Sequence, residues 1–376
     1  MRSPIILALL AMLVATGAAA QTDPSPPTLP RGADPNDWEA YYDRGTQLLA
    51  TVPAEGDAYL LWARRLAPER AEPLYAHWIA LHLRDVRRWQ AWMRDDQRVL
   101  RSPEIIRMDS LLMRAQVRNP FLHRGLMVLL YQATPGSWRR DLYTRAMLDY
   151  STGKLGEAVR QMDNYVSHHP RNLSARWSLA LALVSSGKLD SAQVTMDTLL
   201  ARLRQGDEQR VVRVYESKEM QEYAAGLLAL ARHRPAEARE YMERALVENA
   251  GAWFAHAGRA RALLAAGHAD EASQEMAAAL EFAPQDAIFH FDYGSALFAA
   301  GHPAEAAGQF RRAVKMEPYW ADAWAALGDA ERGAGHAAEA ADAYERFIGL
   351  APRHAAASIE TARRQVAALR SAPAAP

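Results

Sequence analysis

The sequence predicts an all-α fold, an α-solenoid of stacked helix–turn–helix units. Two nearly identical stretches, AEAAGQFRRAVKMEP from Ala304 and AEAADAYERFIGLAP from Ala338, lie 34 residues apart. Glycine, glutamate, alanine and proline recur at that same interval in three successive rows. Half of the 376 residues are hydrophobic by type, which suits a long packed core. A fixed period of this length indicates supersecondary units that each pack against their neighbours.

The recurring residues have the chemistry that helix ends and turns require. Glycine suits the turn inside a unit, glutamate in the first turn of a helix interacts favourably with the helix dipole, and proline ends a helix. These columns are Gly267, Gly301 and Gly335, then Glu271, Glu305 and Glu339, then Pro284, Pro318 and Pro352. Each row therefore predicts one helix–turn–helix unit.

With these motifs the chain resembles a tetratricopeptide repeat (TPR) protein. The last unit matches the family pattern closely, with the pattern residues Trp324, Leu327, Gly328, Ala340, Tyr344 and Pro352. Six units are predicted over 139–354, with a 12-residue insertion at 207–218. Their first residues are Arg139, Leu173, Glu219, Trp253, Ala287 and Ala321.

The first 20 residues have the pattern of a signal peptide. Arg2 supplies a positive charge, an apolar run of 16 residues follows from Ile5, and small residues end the segment at Ala20. The run is shorter than a membrane-spanning helix needs. We therefore expect residues 1–20 to be removed and the mature chain to be exported, to the periplasm or outside the cell, without a transmembrane span.

Four further segments flank the repeats. Residues 21–35 contain five prolines and predict a disordered linker. Residues 36–138 predict an irregular helical region with degenerate TPR-like units. Residues 355–370 predict a capping helix, since the end of an array needs a polar outer face. Residues 371–376 predict a tail.

Charge is balanced overall but unevenly distributed. The chain has 44 Lys and Arg residues and 44 Asp and Glu residues, which argues against a nucleic-acid partner. Residues 59–145 carry 16 basic and 8 acidic side chains, whereas residues 237–345 carry 8 basic and 18 acidic ones. Opposite fields of this kind can orient a partner or a second copy of the chain. The alternative is a solvated surface.

A histidine column raises the question of metal binding. His268, His302 and His336 each precede a glutamate by three residues, and this spacing can place an imidazole and a carboxylate on one helix face. However, the three histidines belong to different units, and neighbouring packed helices lie roughly 8–10 Å apart. We therefore interpret them as turn residues and predict no metal and no cofactor.

The sequence contains no familiar catalytic motif. No phosphate-binding loop, His-Glu-x-x-His or Gly-x-Ser-x-Gly occurs in the sequence. The absence of cysteine excludes disulfides, thiol nucleophiles and thiolate metal sites. We therefore predict that the protein is not an enzyme, with a site assembled in space within residues 36–138 as the alternative.

The TPR resemblance implies a partner-binding groove. In TPR proteins, one face of the first helices lines a concave groove that holds an extended segment or a helix. The corresponding residues are Tyr143, Met147, Tyr150, Trp177, Leu181, Val184, Tyr223, Leu227, Leu230, Phe254, Leu264, Ile288, Phe291 and Phe298. The apolar lining ends in the sixth unit, at Asp322 and Asp329. The Lys, Asn and Arg set with which some TPR domains clamp a carboxylate is absent from this face.

What fills the groove is left open by the sequence. The first helices are apolar nearly all round, so both of their sides are expected to be covered. The occupant can be another protein or peptide, a second subunit, or the Trp-rich helices before residue 139. We predict an exported TPR scaffold that binds a protein or peptide partner during cell-envelope assembly or biogenesis. The alternatives are an enzyme or enzyme subunit with a site in 36–138, and a self-associating structural protein.

Overall fold

Helices account for nearly all of the regular structure. The computed structural model describes residues 25–49, 51–85, 103–122, 142–151, 153–205 and 217–371. In chain order, the α-helices within these ranges are α1 Trp38–Leu48, α2 Pro53–Leu66, α3 Ala71–Leu83, α4 Pro103–Arg118, α5 Leu142–Ser151, α6 Leu155–His168, α7 Leu173–Ser185, α8 Leu189–Arg204, α9 Lys218–Ala231, α10 Pro235–Glu248, α11 Trp253–Ala265, α12 Ala269–Phe282, α13 Ala287–Ala299, α14 Pro303–Met316, α15 Ala321–Gly333, α16 Ala337–Leu350 and α17 Ala356–Ser371. No strand occurs in those ranges, so the predicted all-α fold is confirmed.

Some predicted segments lie wholly or partly outside the described residues. They are the signal peptide at 1–20, the start of the linker at 21–35, parts of 36–138, most of the insertion at 207–218 and most of the tail at 371–376.

Helices α5 to α16 form the six predicted helix–turn–helix pairs. The two helices of each pair contact each other, and each second helix contacts the first helix of the next pair. Successive first helices also contact one another along much of the array, as in the step from α9 to α11 and from α11 to α13. This arrangement places the first helices on the inner side of a curved stack. The predicted α-solenoid is confirmed.

The turn inside five of the six units has a glycine with positive φ. The values are 79° at Gly153, 71° at Gly187, 85° at Gly267, 83° at Gly301 and 82° at Gly335. Only glycine adopts this left-handed conformation at little cost, because it has no Cβ atom. In the third unit the same position is taken by His233, at φ 58°.

Glycine also sets the spacing within a unit. A Cβ atom added at Gly328 of α15 would lie 2.7 Å from the ring of Tyr344 on α16. Gly294 has the same relation to the ring of Phe310 one unit earlier. In the fifth and sixth units the aromatic ring of the second helix therefore packs directly on the backbone of the first helix, which explains this part of the TPR pattern.

The N-terminal region adds four more helices. Helices α1 to α4 pack consecutively, each against the next. Helix α3 is buried almost all round, and Tyr75 and Trp78 are each 1% exposed. A helix of this kind needs cover on both faces.

Part of the predicted linker contacts the rest of the chain. Tyr59 Oη donates a hydrogen bond to the Thr28 carbonyl oxygen at 2.7 Å, and Leu29 packs against the aromatic cluster around Tyr41. The carbonyl oxygens of Gly32 and Ala33 accept hydrogen bonds from the Arg353 guanidinium, at 3.5 Å and 3.0 Å.

Helix α17 covers the end of the array. It packs against α16, and Ala362 is its buried residue. Arg370 Nη2 lies 2.6 Å from Asp342 and 3.2 Å from Glu345 of α16. The helix thus presents a polar outer face, as the prediction of a capping helix requires.

Candidate protein-binding groove

The inner stripe of the first helices is largely buried in the structure. Seven of its predicted members are no more than 9% exposed, namely Met147, Tyr150, Trp177, Leu181, Tyr223, Phe254 and Ile288. Five are partly buried, namely Val184, Leu227, Leu230, Leu264 and Phe291. Phe298 is 42% exposed. The side chain of Tyr143 lies outside the described residues. The stripe is therefore covered along most of its length.

Residues of the same chain provide the cover over the second and third units. Phe121 stacks on Trp177 of α7, with ring centroids 5.6 Å apart and an interplanar angle of 23°. Val117, at the end of α4, is fully buried in the hydrophobic cluster that contains Tyr223 and Phe254. Over this stretch the structure therefore shows the groove filled by the chain's own N-terminal region. This is one of the occupants that the sequence left open.

Tyr223 also contacts the covering segment through a hydrogen bond. Its Oη donates to the carbonyl oxygen of Val117 at 2.7 Å, and Tyr223 itself is 0% exposed. Val117 lies in the last turn of α4, where carbonyl groups have no partner within the helix. A side chain of the groove, Tyr223, therefore caps the C-terminal end of α4, the helix that covers the groove. The neighbouring Asn119 carbonyl oxygen accepts a hydrogen bond from Tyr75 Oη at 2.9 Å.

A buried ion pair fixes the covering segment to the fifth unit. Arg118 Nη2 and Nη1 lie 2.8 Å and 3.3 Å from the two carboxylate oxygens of Asp286, and the side chains are 7% and 6% exposed. Asp286 also caps α13, because its Oδ1 accepts the backbone N–H of Ile288 at 3.0 Å. Burial acts to raise the pKa of Asp286, but the charge and hydrogen bonds of Arg118 hold it below its ordinary value.

More charges of opposite sign meet across the same interface. Arg114 Nη2 donates to the Gln285 carbonyl oxygen at 3.4 Å. Burial raises the pKa of Glu317, and the positive charges of Arg64 and Arg114 oppose that rise. The basic N-terminal region and the acidic repeat units therefore face each other within one molecule. The sequence interpretations of the charge asymmetry, an oriented partner or second copy and a solvated surface, did not include this pairing.

Aromatic contacts continue the interface towards the sixth unit. The rings of Trp62 and Tyr319 lie 4.8 Å apart, and the Arg65 guanidinium lies 4.9 Å from the centroid of the Tyr319 ring. A cation over a tyrosine face is attracted by the ring quadrupole. This part of the cover combines apolar area with charge.

The N-terminal segment is attached to the far end of the array. Asn36 Nδ2 donates to the carbonyl oxygens of Gly349 and Ala351, at 3.0 Å and 3.3 Å. The Arg353 backbone N–H donates to Asp34 at 2.5 Å. Together with the Phe121 contact in the second unit, these bonds make the N-terminal region span the concave side from near one end to the other.

The helical N-terminal region contains a cavity of about 400 Å³. It is lined by Arg64, His77, Leu81, Met108, Ser110, Leu111 and Arg114. His77 Nε2 lies 3.1 Å from Asp57, and burial lowers the pKa of His77 against the opposing effect of that carboxylate. His77 Nδ1 is buried without a hydrogen-bond partner, so it is not placed to activate Ser110. Among the described side chains, this cavity holds no hydrogen-bonded pair of base and nucleophile.

The three histidines of the repeated column lie at the N-caps of α12, α14 and α16. His336 Nδ1 lies 2.8 Å from the buried carboxylate of Glu331, whereas His268 is half exposed and lies 3.4 Å from Glu271. The described part of the chain contains no group of three His, Asp or Glu side chains placed to hold a metal ion. No helix there is both long enough and apolar enough to cross a membrane.

Comparison with known families agrees with the repeat architecture. One tetratricopeptide repeat model matches residues 143–207 and 291–355, and a second matches residues 229–290. Together these matches cover about half of the chain. The protein therefore belongs to the tetratricopeptide repeat family. The curved arrays of this family present concave binding surfaces for protein or peptide partners, and the family is generally non-catalytic.

Solved structures with the same kind of repeat match at low identity. MamA from Desulfovibrio magneticus RS-1 is 17% identical, with 47% of this chain and 94% of that chain covered and a TM-score of 0.40. YrrB, described as a TPR protein with an unusual peptide-binding site, is 19% identical, with coverage of 50% and 92% and a TM-score of 0.39. A tetratricopeptide repeat protein from Parabacteroides merdae is 16% identical, with coverage of 79% and 99% and a TM-score of 0.41. No curated protein matches the chain.

Proposed function

We propose that the protein is an exported TPR scaffold that binds a protein or peptide partner in its concave groove during cell-envelope assembly or biogenesis. The observation that carries the proposal is that this groove already holds a peptide segment. The segment that ends at Phe121 is held by an aromatic stack on Trp177, a hydrogen bond from Tyr223 and an ion pair with Asp286. Buried aromatic and charged anchors of this kind dominate the affinity of peptide recognition.

Export is proposed from the sequence alone. The support is the charged start at Arg2, the short apolar run and the small residues up to Ala20. Fractionation of the native cell, with N-terminal sequencing of the mature chain, is expected to give Gln21 as the first residue of a protein in the envelope fraction. A cytosolic protein that retains Met1 would contradict export.

Partner binding can be tested by site-specific photo-crosslinking in native cells. Phe298 is the exposed member of the groove stripe, on first helix α13, and Val247, 86% exposed on second helix α10, is the matched control. We expect a defined adduct from a crosslinker at 298 and not from one at 247.

Three other outcomes of this experiment are informative. Equal adducts at both positions would place binding on another surface, and no adduct would contradict partner binding at the open end of the groove. An adduct of the chain with itself, with a concentration-dependent mass above 41.7 kDa, would favour self-association instead.

A further inference from the structure

Residues 113–121 contact the repeats as a bound peptide would. Met113 and Val117 are one helical turn apart on α4, and both pack against the hydrophobic cluster of the third and fourth units. Arg118 and Phe121 then contact Asp286 and Trp177. The contacts extend from the second unit to the start of the fifth, so the segment lies along the array and not against a single pair of helices.

Helix α4 has two differently built sides. Towards α3 it presents Met108, Leu111, Leu112 and Ala115, which belong to one apolar cluster with Tyr75 and Trp78. Towards the repeats it presents a mixture of apolar and charged groups, including Arg114 and Arg118. An apolar cluster holds α4 within the N-terminal region, whereas a more polar interface, with charged groups among the apolar ones, joins that region to the array. Interfaces of the second type are typical of parts that separate.

We infer that residues 113–121 are a built-in ligand that closes the groove, and that the partner displaces them with a segment of the same chemistry. This inference rests on the proposed function. The partner segment is a helix whose last turn carries an apolar residue followed by an arginine, with an aromatic residue three positions after that arginine. Its arginine replaces Arg118 beside Asp286, and its aromatic ring replaces Phe121 on Trp177.

The requirement for an arginine follows from the burial of Asp286. A carboxylate that is 4% exposed and loses its cation is left with a large desolvation penalty. A partner with only apolar residues would leave Asp286 unpaired, so it would not compete with Arg118. Likewise, Tyr223 Oη needs a carbonyl oxygen, which the last turn of a helix supplies. The groove therefore selects against a purely apolar helix.

Attachment to the same chain gives the built-in ligand an advantage. A tethered segment has an effective concentration in the millimolar range, so a free segment of equal affinity competes poorly. Weakening the tethered segment should therefore raise the apparent affinity for the free one without any change in the groove.

The test measures binding of a fluorescent peptide of residues 103–122 to the mature chain from Gln21. In the variant Arg118→Ala/Phe121→Ala the tethered segment is weakened and the groove is intact, and we expect at least roughly tenfold tighter binding than to the unmodified chain. Adding Asp286→Asn and Trp177→Ala to that variant should remove the gain. A labelled peptide with alanine at the positions of Arg118 and Phe121 is the matched control and should not bind.

Circular dichroism first establishes that each variant keeps its helix content. If the double variant fails to fold, Val117→Ala weakens the same segment more mildly and is expected to give a smaller gain. Equal peptide affinity in the unmodified chain and the weakened variant, or no binding to either, would overturn the inference. A crosslink at position 298 without peptide binding would contradict the built-in ligand but not the proposed function. The two failures are therefore distinguishable.

Discussion

At the scale of single residues, the interface between the N-terminal region and the repeats depends on buried charge. Arg118 and Asp286 are both more than nine-tenths buried and form a two-pronged ion pair. A buried pair of this kind contributes little compared with a well-packed apolar pair, yet removing one partner leaves the other unpaired in a low-dielectric site. We therefore expect the pair to influence which surfaces meet more than it adds to stability.

We expect Asp286→Asn to lower the free energy of unfolding by roughly 3 kcal/mol, because Arg118 stays buried without a carboxylate. Asparagine still caps α13, so the loss reports on the ion pair and not on the cap. The double variant Asp286→Asn/Arg118→Met should recover most of the loss. Urea denaturation measures all three proteins, and a double variant as unstable as Asp286→Asn would show that the charge pair is not the cause.

Glu69 makes stability depend on pH. Burial, with the nearby charge of Asp322, raises the pKa of Glu69 from 4.5 to about 7, against the opposing charges of Arg70 and Arg118. Since the folded state binds the proton more tightly than the unfolded state, the contribution of Glu69 is fully present below about pH 4.5. It is lost as the pH rises through about 7.

The variant Glu69→Gln resembles the protonated form at every pH. We expect it to match the unmodified chain near pH 4 and to exceed its free energy of unfolding at pH 8, by roughly 1–3 kcal/mol. Denaturation curves over this pH range give the difference in free energy of unfolding between the two proteins. The titration of other groups cancels in this difference. A difference that does not change with pH would contradict the assignment to Glu69.

At the scale of the elements, each repeat unit depends on a left-handed residue in its turn. Five units have glycine there, and the third has His233 at φ 58°. Residues with a Cβ atom pay roughly 1 kcal/mol for this conformation. The third unit thus differs from the other five at the turn position whose left-handed backbone favours glycine.

We expect His233→Gly to raise the free energy of unfolding by roughly 0.5–1 kcal/mol, because the strain at this turn is relieved. The matched control, Gly267→His, places the same side chain in the equivalent turn of the fourth unit and should lower stability by a similar amount. Chemical denaturation of both variants tests whether their free energies of unfolding change in opposite directions. A loss of stability in His233→Gly would mean that the histidine side chain makes a contact worth more than the strain.

At the scale of the whole molecule, the N-terminal region closes the concave side of the array. It contacts the second unit through Phe121, the fifth through Arg118 and the end of the sixth through Asn36. Its excess of basic side chains faces the acidic excess of the repeats, and this complementarity positions the region along the groove. A repeat array otherwise exposes its inner apolar stripe to water.

A fragment of residues 139–376 is expected to remain helical, because each unit contacts mainly its neighbours. It should nevertheless expose Trp177 and Tyr223, and so bind a hydrophobic dye and self-associate at concentrations where the full mature chain does not. Circular dichroism, dye fluorescence and light scattering measure these properties. An unfolded fragment would mean that α1 to α4 and the repeats form one inseparable core.

The repeat array could be derived from the sequence by itself because its information is local and periodic. The glycines at 267, 301 and 335, the prolines that end units, and the aromatic residues that pack on Gly294 and Gly328 each follow from contacts within one unit. The inner apolar stripe followed from the same period. Only the tertiary structure decided what covers that stripe. Arg118 and Asp286 are 168 positions apart and belong to no shared pattern, so no period relates them. An apolar face indicates that something must cover it, but the identity of the cover depends on how distant segments meet in space. For the same reason the charge asymmetry was visible in the sequence, whereas its intramolecular pairing was not.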